Sequence, residues 1–322
     1  MSGGAPLLTV RVAEILSVTP LVKRFRLVSV DGKPLPFFSG GAHIMVEMRV
    51  GASLHRNSYS LMGSPDDPTS YLISVRLEPE GRGGSRFMHD QVSEGMTLSI
   101  SHPVNLFPLA KLAAKHLFIA GGIGITPFLA MMDELASVGG APFELHYAAR
   151  SRSLAAYAGS LQQRFGRRVA LYVSEDGPRL PTRDLLLYQP IGTHLYVCGP
   201  ERLIEDVLGA ARALGWPEES LHQERFLAPP RGTPYRVELA RSGKVIEVGP
   251  LQSMLEALEA AEVDAPYLCR GGACGQCETA VILCEGELLH ADHFLTEAEK
   301  AAKTKVMPCV SRFTGQRLVL DR

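Results

Sequence analysis

Four cysteines in the C-terminal part of the chain have a spacing that suits metal–sulfur chemistry. Three of them lie in the short run Cys269-Arg-Gly-Gly-Ala-Cys274-Gly-Gln-Cys277, and Cys309 follows much later. A cluster of two irons and two sulfides needs four thiolates that converge from opposite sides. One tight loop can supply three thiolates and a returning segment the fourth, so these cysteines are candidate cluster ligands.

The C-x4-C-x2-C…C pattern is the spacing of plant-type [2Fe–2S] ferredoxins. Gly271, Gly272 and Gly275 would let the loop curl, because glycine adopts positive φ at little steric cost. A zinc site is the first alternative, but such sites usually combine two C-x2-C knuckles or end in a histidine pair. Disulfides are the second, and the N-terminal residues lack the charged start and apolar core of an export signal. The cluster explains the spacing best.

Composition sets the broad class of the protein. Hydrophobic residues make up 46% and charged residues 21% of the 322 residues, which is typical of globular domains. The formal net charge of −1 gives no reason to expect nucleic-acid binding. No apolar run reaches the roughly 18 residues of a membrane span. We therefore expect a soluble, cytoplasmic protein without a membrane or nucleic-acid partner, and nothing demands more than a monomer.

The pattern of short segments predicts three domains and a linker. Residues 1–110 hold β-branched or alternating runs separated by turn residues, which predicts a small antiparallel β-barrel. Residues 111–227 alternate strand and helix patterns, which predicts a parallel sheet with helices on both faces. Residues 228–234 are a proline-rich linker. Residues 235–322 combine a hairpin, a helix, the cysteine loop and further strands, which predicts a small α+β domain.

Two glycine-bearing loops in the α/β segment are candidates for binding a nucleotide. Gly121-Gly-Ile-Gly-Ile-Thr-Pro127 lies between a predicted strand and a predicted helix, where a helix N-terminus favours phosphate. Cys198-Gly199-Pro200 follows another strand of the same predicted sheet. Because ligands of open α/β sheets bind at the carboxyl ends of the strands, the two loops should outline one crevice.

Two polar segments of the barrel are candidates for binding a phosphorylated aromatic cofactor. Arg56-Asn57-Ser58-Tyr59-Ser60 offers a cation, hydroxyls and an aromatic ring just before a strand-like stretch. Gly81-Arg82-Gly83-Gly84-Ser85 precedes a predicted helix start and could present N–H groups to a phosphate. Each alone suits an ordinary polar turn, but together with the downstream motifs they favour a flavin.

In this order, the motifs resemble those of the phthalate dioxygenase reductase family, within the ferredoxin–NADP reductase superfamily. The resemblance covers nearly the whole chain. It implies a flavin barrel, a nicotinamide domain and a β-grasp ferredoxin domain, with FMN, NADH and [2Fe–2S] as cofactors. It also implies a Rieske-type oxygenase, acting on aromatic rings or as a demethylase, as electron acceptor. Hydride from NADH would reach the flavin, and single electrons would pass to the cluster and then to the oxygenase.

Carried over residue by residue, the resemblance implies a set of site residues. The cluster ligands are the four cysteines, and Thr126 and Phe226 would lie beside the reacting flavin ring. Implied cofactor contacts are Arg56, Asn57, Ser58, Tyr59, Ser60, Val75, Arg82, Gly83, Gly84, Ser85, Gly121, Gly122, Gly124, Thr126, Pro127, Arg150, Cys198, Gly199, Pro200 and Phe226.

Two points stay open at the level of sequence. The family's R-x-Y-S motif has its arginine two residues before the tyrosine, where this chain has Asn57, with Arg56 one residue earlier. Either residue could therefore contact the flavin phosphate. The run Arg150-Ser-Arg-Ser lacks the carboxylate expected for an NADH ribose, and an arginine there could accept the 2′-phosphate of NADPH, although the family implies NADH.

Other functions remain as alternatives. The chain could be a reductase of a separate ferredoxin or of a hydroxylase, although its own C-terminal cluster argues against both. It could also be a redox sensor, but the sequence contains no recognisable output module. His290, Asp292 and His293 resemble a metal site only in their spacing, and we expect the two histidines to be exposed to solvent.

Overall fold

A computed structural model describes residues 7–50, 53–227 and 229–322. The chain divides into two compact units between Arg225 and Phe226, close to the start of the predicted linker. The strands are β1 (Leu8–Thr19), β2 (Val22–Ser29), β3 (Ala42–Val50), β4 (Ser53–Ser60), β5 (Tyr71–Arg76), β6 (Thr97–Ile100), β7 (Val104–Asn105), β8 (Lys115–Gly121), β9 (Phe143–Ala149), β10 (Val169–Val173), β11 (Thr193–Cys198), β12 (Leu221–Glu224), β13 (Tyr235–Leu239), β14 (Val245–Val248), β15 (Thr279–Leu289), β16 (Lys305–Val306) and β17 (Arg312–Leu320). The helices are α1 (Gly84–Asp90), α2 (Thr126–Ser137), α3 (Ala158–Phe165), α4 (Thr182–Leu187), α5 (Glu201–Ala213), α6 (Met254–Ala260) and α7 (Glu297–Ala302).

The N-terminal unit begins with a seven-stranded antiparallel sheet. Its strand order is β4-β3-β6-β1-β2-β5, and β7 pairs with β3. A bridge between Met62 and Leu72 joins the segment after β4 to β5, so the sheet curls toward closure. Side chains that alternate along the strands, such as Val10 and Val12 on β1, fill a common core. The predicted antiparallel barrel is confirmed.

The second part of the N-terminal unit is a five-stranded parallel sheet. Its order is β10-β9-β8-β11-β12. Alternate residues of β8 face opposite sides, because Phe118 packs in the core with α2 and α3 while Leu117 packs in the core with α4 and α5. The predicted parallel sheet between two helical layers is confirmed. No helix in the described part of the chain is long and apolar enough to cross a membrane.

The C-terminal unit is a five-stranded sheet with α6 against it. Its order is β14-β13-β17-β15-β16, and β13 pairs with β17 in parallel. Gly243 has φ of 66° in the turn of the predicted β13–β14 hairpin. The hydroxyl of Ser253 accepts from the backbone of Glu256, whose carboxylate accepts in return, so a capping box begins α6. The α+β prediction is confirmed.

Two predicted elements differ in extent from those observed. The segment Arg56–Ser60 was placed before a strand but lies inside β4, whose polar composition hid its alternation. The run Val306–Val310 also predicts a strand, but β16 ends at Val306, because the chain then turns, with the Val310 and Ser311 N–H groups bonded to the Met307 carbonyl at 3.3 and 3.0 Å. That turn brings Cys309 out of the sheet.

Candidate functional site

The four cysteines converge in two pairs. The Sγ atoms of Cys277 and Cys309 are 3.3 Å apart, and the thiols of Cys269 and Cys274 hydrogen-bond to each other. In the described residues, no three His, Cys, Asp or Glu side chains converge as a site for a single ion would require. Two facing pairs are instead the arrangement of a binuclear cluster with two thiolates on each iron.

In each pair, the surroundings favour the thiolate form of one cysteine. The Cys274 thiol and the N–H groups of Ala273 and Gly271 hold the pKa of Cys269 down to about 5. The two N–H groups lie 3.4 and 3.3 Å from its Sγ atom. In the second pair, the contact with Cys309 lowers the pKa of Cys277. Because cluster ligands must lose their protons, the residues present fit a [2Fe–2S] group.

At two positions in the loop between the first three cysteines, the backbone conformation and the lack of space for a Cβ both require glycine. Gly272 and Gly275 have φ of 71° and 74°. A Cβ at Gly275 would lie 2.3 Å from the ring of Phe294, and one at Gly272 would lie 2.7 Å from Val310. Gly271, which we also expected to curl the loop, is outside the left-handed region, and a Cβ there would make only an ordinary contact, 3.7 Å from the Cys269 carbonyl oxygen.

Arg270 anchors the same loop. Its backbone is left-handed, with φ of 52°, although it is not a glycine. The guanidinium is buried, forms an ion pair with Glu259 at the end of α6, and lies 3.8 Å from the centre of the Tyr267 ring. These contacts offset the cost of the unusual backbone and fix the loop next to Cys269.

The expectation that His290 and His293 are exposed is only half right. His293 is exposed, but the His290 side chain is 8% exposed and lies 3.4 Å from the buried Asp292 carboxylate. Asp292 accepts from the Leu295 backbone at 2.9 Å and from the Ser311 hydroxyl at 3.4 Å. Its role is to join two segments beside the cysteine loop, and spacing alone did not reveal that burial.

The two glycine-bearing loops of the α/β layer contact each other. They follow β8 and β11, which are parallel neighbours. A Cβ on Gly199 would lie 2.9 Å from Gly121, and a Cβ on Gly124 would lie 2.3 Å from the carbonyl oxygen of Cys198. The backbones therefore meet as closely as glycine allows, and both loops lie together at the carboxyl edge of the sheet.

The residues after Gly121 form a tight turn into α2. Pro127 and Thr126 lie buried in its first turn, and the Thr126 hydroxyl donates to the Ile123 carbonyl at 3.0 Å. Gly122 has φ of 55° and open space around it, and its carbonyl accepts from Tyr147 at 3.0 Å. Hydrogen bonds from the Thr126 and Tyr147 hydroxyls thus hold the turn, and Gly122 faces open space.

Glu224 is a candidate site residue that could not be recognised from the sequence. It is the register partner of Cys198 on the neighbouring strand, and the Ser60 hydroxyl donates to its carboxylate at 3.5 Å. Burial raises the pKa of Glu224 to about 8 and also raises the pKa of the Cys198 thiol. A protonated carboxyl, a thiol and a hydroxyl therefore meet where the barrel and the α/β layer adjoin. Residue type gave no signal, because only the fold creates this burial.

Strand alternation separates Arg56 from Asn57. Arg56 pairs across the strands with Glu47, Nε to Oε1 at 2.7 Å. Asn57 and Tyr59 share the other face, where the Asn57 amide donates to the Tyr59 hydroxyl at 3.3 Å. A Cβ at Gly84 would lie 2.5 Å from Asn57 Nδ2, so this face adjoins the start of α1.

The predicted phosphate turn is closed by internal hydrogen bonds. The Ser85 hydroxyl accepts from the Glu78 N–H at 3.0 Å, and the Gly81 N–H donates to the Glu78 carbonyl at 3.0 Å. Gly83 precedes α1 in the left-handed region, with φ of 104°. The turn, Arg82 included, follows β5 and leads into the helix beside Asn57. The close approach at Gly84 leaves no room for a larger residue between the helix start and Asn57. N–H groups of a helix start beside a side-chain amide are groups that suit a flavin phosphate.

Four further predicted site residues differ in their exposure and contacts. Val75 is buried in the barrel core, and its carbonyl accepts from His89 at 2.8 Å. Ser58 is exposed on β4. Arg150 is exposed and pairs with Glu175 at 3.3 Å. Phe226 is about half exposed, on the segment that follows β12.

Two protein-family models match the chain. Residues 101–221 match the N-terminal domain of proteins like dimethylamine monooxygenase subunit DmmA. Residues 237–314 match the 2Fe–2S iron–sulfur cluster binding domain. The second match contains all four paired cysteines.

Similar proteins extend over almost the full length of the chain. The carnitine monooxygenase reductase subunit of Acinetobacter pittii is 48% identical, over 94% of this chain and 99% of that protein. The heme-dependent oxidative N-demethylase beta subunit of Ectopseudomonas mendocina is 46% identical, over 98% and 99%. Among solved structures, phthalate dioxygenase reductase, described as a modular structure for electron transfer from pyridine nucleotides to [2Fe–2S], has a TM-score of 0.88 at 34% identity and covers 98% of both chains.

Proposed function

The chain belongs to the phthalate dioxygenase reductase family, and from that premise we propose that it is the reductase component of a Rieske-type oxygenase. It is an NADH-dependent oxidoreductase with FMN and a [2Fe–2S] cluster. The bound flavin would accept a hydride and release single electrons, which is the conversion that a one-electron cluster requires. The chain's own residues must bind these groups and keep water and other acceptors away.

The paired cysteines are the single observation that carries this proposal. Cys269 with Cys274 and Cys277 with Cys309 each offer two sulfurs to one iron, and the loop N–H groups donate to the Cys269 sulfur. Such donors stabilise negative charge on sulfur and thereby raise a cluster's reduction potential. Three of these sulfurs belong to buried residues, which limits access by water.

For the flavin, we propose that Asn57 and Tyr59, rather than Arg56, face the cofactor. The support is the side of β4 on which they lie, beside the start of α1, whereas Arg56 is paired with Glu47 on the opposite side. Asn57 and the N–H groups around Gly83 and Gly84 would then hold the phosphate. Cys198, Glu224 and Ser60 would hold the reacting end, together with Thr126 and Phe226.

NADH fits the charges at the sheet edge better than NADPH. Arg150 and Arg152, which could have accepted a 2′-phosphate, each face a carboxylate, Glu175 at 3.3 Å and Asp176 at 2.9 Å. A 2′-phosphate would have to displace these carboxylates and would meet their negative charge. The ribose hydroxyl of NADH carries no such penalty and can donate to a carboxylate.

The nature of the acceptor needs a direct test, because similar proteins serve different oxygenases. We propose a Rieske-type oxygenase that acts on aromatic rings or as a demethylase, as the family resemblance implies. A heme-dependent N-demethylase is the second candidate, favoured by the 46% identity to the beta subunit of such an enzyme. Since NADH is regenerated in the cytoplasm, we also propose a cytoplasmic location, and a monomer would suffice for the electron path within this chain.

The test is reconstitution with each oxygenase partner. The purified protein would be mixed with the oxygenase component of carnitine monooxygenase or with the partner subunits of the heme-dependent N-demethylase. Substrate-dependent NADH oxidation and product formation would be measured. The proposal predicts coupled turnover with the Rieske-type partner. Coupling only to the heme partner would establish the second candidate, and no coupling to either would contradict an oxygenase reductase of these types.

A further inference from the structure

Arg312, at the start of β17, is a fully buried cation without an acidic partner in the described part of the chain. Its side chain is among the largest buried ones, with 2% of the residue exposed. The guanidinium donates to three backbone carbonyls, from Nη1 to Gln252 at 2.8 Å and from Nη2 to Thr233 at 3.0 Å and Gly249 at 3.1 Å. Burying a charge is costly unless its surroundings compensate for it, so such an arginine calls for a role.

The three carbonyls belong to segments that meet where the chain enters the ferredoxin unit. Thr233 is in the predicted linker, and Gly249 and Gln252 are in the loop between β14 and α6. The guanidinium carbon lies 5.1 Å from the centre of the Tyr235 ring, on the first residue of β13. Gly232 approaches so closely that a Cβ there would lie 2.6 Å from Arg312 Nε. The Arg312 side chain therefore binds both the linker and the loop between β14 and α6.

Other contacts confirm that the linker is fixed to the ferredoxin unit. The Gly232 N–H donates to the Pro250 carbonyl at 3.1 Å. Leu227 packs against the apolar core of the unit, and Pro229 is buried. A proline-rich segment could have acted as a free spacer, but here it is attached along much of its length.

Arg312 is also close in sequence to a cluster ligand. The turn that presents Cys309 ends at Ser311, and Arg312 begins β17 immediately afterwards. The same residue thus connects the cysteine segment to the linker that joins the two units.

We propose that Arg312 is a positioning residue for electron transfer into the cluster. Within the ferredoxin unit, it fixes the path of the linker relative to the Cys309 segment. This rests on the proposed function, because positioning for electron transfer has meaning only if flavin and cluster exchange electrons. Pre-organisation of reacting groups is a large rate factor, and small displacements are costly.

The test compares Arg312→Met, which keeps length and removes the donors, with Arg312→Lys, which keeps the charge. Arg317→Met is the matched control, since Arg317 is on the same strand but half exposed, paired with Glu238. Hydrogen exchange of amides in residues 229–235 would report the attachment of the linker. Rapid mixing with NADH would separate flavin reduction from cluster reduction, and a redox titration would give the cluster potential.

The proposal predicts that Arg312→Met speeds exchange in the linker and slows cluster reduction several-fold. Flavin reduction, cluster spectrum and cluster potential should match the wild type. Arg312→Lys should recover part of the rate, and Arg317→Met should behave as the wild type in every measurement. Unchanged linker exchange, unchanged cluster reduction, or a slowing explained by a shifted potential would each overturn it.

Two further results would still decide whether Arg312 positions the linker. If Arg312→Met does not fold, Gly232→Ala disturbs the same contact from the linker side, because its Cβ displaces the guanidinium, and the same outcomes apply. If the wild type shows no reduction of flavin by NADH, the proposed function fails. The exchange comparison would still decide whether Arg312 holds the linker.

Discussion

At the scale of single residues, burial and pairing decide which side chains can do chemistry. The cysteine ligands could be predicted, because their spacing reflects the geometry of the cluster itself. Glu224 could not, because a glutamate acquires a raised pKa only when two layers of the fold enclose it. The choice between Arg56 and Asn57 needed the strand β4, since alternation along that strand puts the two residues on opposite faces.

Replacing Cys277 by serine should separate the two halves of the electron path. The change breaks the Cys277–Cys309 pair, whose sulfurs are 3.3 Å apart, and removes one of four ligands. We expect cytochrome c reduction to be lost while bleaching of the flavin by NADH persists. Cys284→Ser is the control, because Cys284 lies on β15 outside the pattern. A Cys277→Ser protein that still reduced cytochrome c at the wild-type rate would refute the path.

Glu224→Gln should change how stability depends on pH. Burial raises the pKa of Glu224 to about 8, from an ordinary value of 4.5, so the folded protein retains a proton that the unfolded chain releases. This contribution to stability is complete below pH 4.5 and is lost as the pH rises through 8. Glutamine has no proton to lose.

The measurement is thermal unfolding of wild type and variant from pH 5 to pH 9. The Tm of Glu224→Gln minus that of wild type should increase as the pH rises. Glu205→Gln, exposed on α5, is the control and should show a constant difference. A constant difference for Glu224→Gln as well would mean that this carboxyl is ionised throughout the range.

At the scale of elements, the sequence predicted which segments are strands and helices better than where they end. Periodicity identified the parallel strands and α5, whose apolar residues recur at helical spacing. Periodicity did not predict that residues 56–60 belong to β4, or that the strand at 306–310 ends at Val306. These segments carry Asn57 and Cys309. The run Ser153–Arg164 predicts a helix, but α3 begins only at Ala158, after Tyr157 in a left-handed conformation with φ of 63°.

Gly124→Ala tests the contact between the two glycine-bearing loops. The added Cβ would lie 2.3 Å from the Cys198 carbonyl oxygen, so the loops must separate. Overpacking of this kind costs about 1–3 kcal/mol of unfolding free energy, and NADH binding should weaken with it. Chemical denaturation and NADH titration would measure both effects.

The matched control is Gly159→Ala in α3. Gly159 is exposed with open space around its Cα, so alanine should stabilise the protein by up to about 1 kcal/mol. If Gly124→Ala were as well tolerated as Gly159→Ala, the loops would not be in close contact.

At the scale of the whole molecule, the order of motifs along the chain was enough to predict barrel, nucleotide layer and ferredoxin fold. Each has its own apolar core, and hydrophobic patterns report cores directly. The attachment of the linker was not predictable, because it depends on Arg312 reaching carbonyls from segments far away in sequence.

A fragment of residues 1–227 should therefore fold and retain part of the activity. The compact N-terminal unit ends at Arg225, and the fragment keeps Phe226. It should bind FMN and reduce ferricyanide with NADH but fail to reduce cytochrome c. An unfolded fragment would show that the first unit depends on the second.

Electrons should pass from NADH through the flavin to the cluster that the paired cysteines hold. The most direct test is an anaerobic visible spectrum during titration with NADH, followed by release and mass analysis of the flavin. We predict that flavin and iron–sulfur bands both bleach and that the released cofactor is FMN. A flavin that bleaches beside an absent or unresponsive cluster would contradict the account.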